Sequence, residues 1–70
     1  MKPHSYKVFR GMECIGRDVP IVKVNRLVIA DDKSRREAGL PSETYKAECE
    51  GMPTKVGRVV RRQIKWKDSN

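Results

Sequence analysis

Six cations stand among the thirteen residues from 55 to 67: Lys55, Arg58, Arg61, Arg62, Lys65 and Lys67, with the single tryptophan, Trp66, between the last two. Guanidinium groups fork onto phosphate or carboxylate oxygens and stack on bases, and an indole offers a flat apolar plate. Residues of these types at this density suit RNA, DNA or an acidic protein surface, with a solvated charged face as the plain alternative. A second, weaker group lies near the start of the chain, where Lys7, Phe9 and Arg10 surround Tyr6 and Val8. Arg35 and Arg36 form a third, with Asp31, Asp32 and Glu37 close enough in sequence to absorb much of its charge.

Other chemistry finds little footing. His4 is the only histidine; a hydrolytic triad needs a base held against its nucleophile by a third group, and a residue four positions from the start has nothing to hold it. Asp31-Asp32 reads as an ordinary helix cap. Cys14 and Cys49 lie 35 positions apart without the paired spacing of a zinc or redox site; two buried thiols in a reducing compartment are expected. No glycine-rich phosphate loop and no Cys/His cluster occurs. The expectation is a non-enzymatic binding protein with no catalytic residue, metal or cofactor.

Seventy residues with 37% hydrophobic and 36% charged content suit one small domain, 1–70, with a thin core and frayed ends near 1–4 and 68–70. The net charge of +7 is uneven: +4 over residues 1–30, −2 over 31–53 and +5 over 54–70. The longest apolar run, Leu27-Val28-Ile29-Ala30, is far too short to span a bilayer, and no secretory signal is read at the start. A cytoplasmic monomer is expected.

The elements that must position these residues are read from period and breakers. Ser5–Arg10 alternates as a half-buried strand, with Phe9 out of phase, and Met12–Ile15 is a second short one. Residues 21–30 are rich in β-branched types and read as strand, the core of the domain. A short helix near residues 32–39 starts at Asp31 or Asp32 and stops at Gly39 and Pro41. Tyr45, Ala47 and Cys49 alternate against Lys46, Glu48 and Glu50 as an amphipathic strand, with a helix capped by Ser42 as the alternative, and Gly51-Met52-Pro53 is a turn. The 56–67 segment is open: Val56, Val59, Val60, Gln63 and Ile64 make one helical face, whereas a strand puts valine and arginine together. Ile21, Val24, Leu27, Ile29, Tyr45 and Val60 are the expected core. The fold class is α+β, a small, mostly antiparallel sheet of four to five strands with one short helix. Its strand order, with a helix after the third strand, resembles an OB barrel.

At the level of class, a basic, non-enzymatic chain of this size resembles the small phage-encoded regulators that bind host RNA polymerase or its nucleic acids. That resemblance implies docking on an acidic polymerase surface in the host cytoplasm, with Lys55, Arg58, Arg61, Arg62, Lys65, Trp66, Lys67, Lys7, Phe9 and Arg10 as the partner surface and modulation of transcription as the outcome. The alternatives are a stand-alone DNA- or RNA-binding module using residues 55–67, and a ribosome-associated or structural basic protein.

Overall fold

The computed structural model describes residues 5–69, and His4 lies outside them. Along the chain come β1 (Ser5–Arg10), β2 (Glu13–Pro20), α1 (Ile21–Glu37), β3 (Tyr45–Glu48), β4 (Lys55–Val60) and β5 (Gln63–Asp68). The strands form one sheet in the order β2-β1-β3-β4-β5, every neighbouring pair antiparallel. The helix packs on one face of this sheet, and among the described residues no second layer covers the other. The class is therefore α+β as expected. The helix follows the second strand rather than the third, however, and the edge strands β2 and β5 do not pair, so no OB-like closure forms among the described residues.

The largest departure from the sequence reading is residues 21–30, which are helix and not strand. Pro20 explains the switch: it closes β2 with extended backbone, φ −60° and ψ 147°, and a ring lacking an N–H loses nothing at a helix boundary. From there Val24, Leu27, Val28 and Asp31 recur at i, i+3, i+4 and i+7, the spacing that turns one helical stripe toward the sheet. Burial of that stripe overrides the strand preference of its β-branched residues. The helix ends where expected. The Gly39 N–H donates to the Arg36 carbonyl and the Leu40 N–H to that of Arg35, a Schellman stop that requires the positive φ of 74° at Gly39.

Among the described residues, seven side chains make the core: Tyr6 and Val8 from β1, Tyr45 and Ala47 from β3, Val59 from β4, and Val24 and Val28 from α1. Leu27, Ile29, Ile64 and Trp66 pad its rim. Ile21 and Val60, both expected in the core, are 60% and 63% exposed and fall outside it, because the helix turns Ile21 away and Val60 points to the uncovered face. The expected pair of buried thiols is also corrected. Cys14 is exposed, since β2 is an edge strand and Cys14 sits opposite Phe9 on the open side, and Cys49 is half-buried.

Asp31 and Asp32 do not cap the helix, because the helix begins ten residues before Asp31. Asp31 instead accepts from Arg10 Nη1 at 2.6 Å and from the Tyr45 hydroxyl at 2.7 Å, tying α1 to β1 and β3. Burial, reinforced by the bond to Asp31, pushes the Tyr45 phenol well above its usual pKa. Arg10's own hydrogen bond to Asp31 raises the guanidinium above its usual pKa. Asp32 is buried and meets Arg36 Nε at 2.8 Å one turn on. Nor is Asp68-Ser69 frayed: Asp68 ends β5, and the Ser69 N–H donates to the Thr54 carbonyl at 2.8 Å.

Candidate functional site

Residues 56–67 form a hairpin, which settles the helix-or-strand question and breaks the expected helical face apart. Val59 and Ile64 are opposite each other and turn toward α1. Val56, Arg58 and Val60 of β4 and Gln63, Lys65 and Lys67 of β5 turn to the open face. The cations that looked alike in sequence therefore part company.

Arg58 sits directly opposite Lys65, and Lys67 opposite Val56. These three cations, with Thr44, Val56 and Gly57, line a shallow depression of about 350 Å³. Arg58 Nε donates to Thr44 Oγ1 at 3.2 Å. Among the described residues no carboxylate lies within ion-pair distance of Arg58, Lys65 or Lys67. Like charges directly across an antiparallel pair are destabilising. An anion resting between them would turn that cost into attraction.

Gly57 makes the arrangement possible. A Cβ there would stand 2.5 Å from the Lys65 carbonyl oxygen and 3.1 Å from Ile64 Cγ1, so a side chain would force β4 and β5 apart just where Arg58 and Lys65 meet.

The same face continues across β3 to β1. Phe9, Lys46, Val56 and Lys67 fall in one cross-strand row. Lys46 Nζ lies 5.1 Å above the centre of the Phe9 ring, a cation–π contact, and also 3.4 Å from Glu48. Lys7 stands opposite Glu48. Lys7, Phe9, Arg58, Lys65 and Lys67, all expected at the partner surface, thus share one side of the sheet. Lys46 and Thr44 join them. Sequence reading missed both, although the alternation through 45–49 had already put Lys46 on the solvent side.

The structure brings the other expected residues elsewhere. Trp66 faces α1, half-buried, and its Nε1 donates to Asn25 Oδ1 at 2.7 Å; it braces the helix, on the side of the sheet away from the open face. Arg10 is held by Asp31 and by Glu13, each at 2.6 Å. Lys55 turns to the covered side and meets Asp68 at 3.7 Å. β1 and β5 are not neighbours, so the N-terminal group reaches the C-terminal one only across β3 and β4.

No family model, curated protein or solved structure matches this chain.

The site must then be read from its own chemistry. Among the described residues no group of three or more histidine, cysteine, aspartate or glutamate side chains is placed to hold a metal ion, and no helix is long and apolar enough to cross a membrane. Arg61 and Arg62 form the two-residue turn between β4 and β5, with φ of 51° and 64°. Both central residues at positive φ define the turn that matches strand twist, one normally built from Asn-Gly or Asp-Gly. Two arginines there keep charge at the tip at a cost in backbone strain.

Proposed function

We propose that this protein binds nucleic acid through the open face of its sheet, with the phosphate backbone lying along β4 and β5. The observation that carries this reading is the opposed, carboxylate-free pair of Arg58 and Lys65 beside Lys67. Phosphates would neutralise the three cations and release the counterions condensed on the nucleic acid, a contribution that ignores sequence. Phe9 is the one aromatic side chain among the described residues on that face, and Lys46 already covers its ring, so base stacking adds little and contact with the backbone dominates. The protein acts by occupying the strand, with no bond made or broken. A regulator docking on an acidic surface of RNA polymerase would use the same cations.

Fluorescence anisotropy with labelled duplex and single-stranded oligonucleotides tests the proposal. Binding should weaken as salt rises, and Arg58→Glu with Lys65→Glu should abolish it while the domain still melts cooperatively. No affinity for either form, together with nuclease-resistant capture of polymerase, would move the protein to the docking reading.

A further inference from the structure

A second basic hollow lies across the hairpin from the open face, between α1 and the β4–β5 turn. Its volume is about 470 Å³, and Ile29, Asp32, Lys33, Arg36, Glu37, Arg61 and Arg62 line it. That size falls within the range of small-molecule sites. Four cations and two carboxylates leave a surplus of two positive charges. Asp32 is already committed, its Oδ2 resting 2.8 Å from Arg36 Nε. Arg36 is fixed a second time, its Nη2 donating to the Val59 carbonyl at 3.3 Å, so it presents a held guanidinium. Among the described residues no carboxylate lies within ion-pair distance of Lys33, Arg61 or Arg62. Ile29 supplies an apolar patch beside them.

The turn is an independent observation. Arg61 and Arg62 hold the left-handed backbone region at φ 51° and 64°, where non-glycine residues are uncommon and arginine gains nothing for the fold. Strain of this kind collects at ligand sites because the side chains are needed there. Here both side chains reach the same hollow as Lys33 and Arg36.

We propose that this hollow is a binding site for a phosphomonoester, the terminal phosphate of a nucleotide or of a nucleic-acid strand. A phosphomonoester carries about −1.5 to −2 charge at pH 7 and three acceptor oxygens, which match the surplus of two charges and the forked donors of Arg36, Arg61 and Arg62. A terminal phosphate has one more charge and one more free oxygen than a bridging diester. The site therefore selects ends and mononucleotides, whereas the open face takes internal phosphates. It does not depend on the open face binding anything.

Calorimetric titration with adenosine 5′-monophosphate and with adenosine tests it, on the parent and on Arg61→Asn with Arg62→Gly. The substituted pair keeps and favours the turn while removing both guanidinium groups. Its melting temperature, at or above that of the parent, separates a lost site from a lost fold. The parent should bind the monophosphate at least about 10-fold more tightly than adenosine, and the variant should lose that preference. Arg58→Ala with Lys65→Ala, on the open face, should retain it. A 12-mer with a 5′-phosphate preferred over the same 12-mer with a 5′-hydroxyl would assign the site to strand ends. Equal binding of the two 12-mers, with the monophosphate preference kept, would assign it to free nucleotides. Equal affinity for monophosphate and adenosine, or a preference that survives in the folded Arg61→Asn, Arg62→Gly protein, would overturn the proposal.

Discussion

The two faces of the sheet are built from the same strands, residue by residue in alternation, yet they handle charge in opposite ways. Under α1, Arg10 and Tyr45 converge on Asp31, and Lys55 meets Asp68. On the open face Arg58 and Lys65 oppose each other, and no carboxylate stands near them or Lys67. These covered pairs serve the fold, since buried polar groups must be satisfied. The open side retains a repulsion that a single acidic residue would relieve. Such uncompensated cost is the mark of a surface kept for a partner.

The contrast is sharpest in packing. Val28, fully buried against the sheet, should cost about 2–3 kcal/mol when truncated to alanine, the transfer term plus a cavity. Val60, exposed on the open face, should change stability by no more than about 0.5 kcal/mol. Urea melts of the two alanine variants measure the difference directly, and equal costs would mean that the helix does not cover the face described.

The polar layer under the helix gives the next effect. Tyr45→Phe removes a bond to a carboxylate that Arg10 still holds, and should cost about 1.5 kcal/mol at pH 7. An unfolded tyrosine ionises near pH 10, whereas burial and Asp31 hold the folded phenol neutral to higher pH. Its contribution is therefore intact below about pH 10 and is lost as pH rises from there toward the folded value. Between pH 9 and 11 the parent should lose stability more steeply than Tyr45→Phe, and the two curves should converge.

The hairpin tip comes third. Arg61→Asn with Arg62→Gly relieves two left-handed arginines and should raise stability by about 1 kcal/mol, visible as a melting temperature about 4–8 °C higher.

Much of this architecture was legible in the sequence, and the misses have physical causes. The alternation of Tyr6 and Val8 marked β1 correctly because a half-buried strand shows its period within six residues. The reading of Tyr45 and Ala47 succeeded for the same reason. Residues 21–30 misled because Ile21, Val22, Val24, Val28 and Ile29 are β-branched, and because the buried stripe of α1 runs from Val28 into Asp31, a carboxylate that hides the helical period. Only the tertiary partners of that carboxylate, Arg10 and Tyr45, explain its inward position. The cationic stretch 55–67 was visible as a stretch. Its division was not, since it depends on register: one step along β5 separates Lys65 on the open face from Trp66, which is held by Asn25 forty-one positions away.

The smallest expected change in stability separates the two roles most cleanly. Lys65→Glu converts a like-charged cross-strand pair into an opposite one and should stabilise the domain by roughly 0.2–1 kcal/mol while weakening nucleic-acid binding. A stability gain joined to a binding loss belongs to a surface held for a ligand.

The salt dependence of oligonucleotide binding, measured by anisotropy for the parent and for Arg58→Ala with Lys65→Ala, tests the central claim most directly. With Arg58, Lys65 and Lys67 each neutralising one duplex phosphate, the parent should show a log–log slope of roughly −2.7, and the double variant a slope shallower by about two units. Unchanged slope and affinity in a folded double variant would contradict the assignment of the open face as the binding surface.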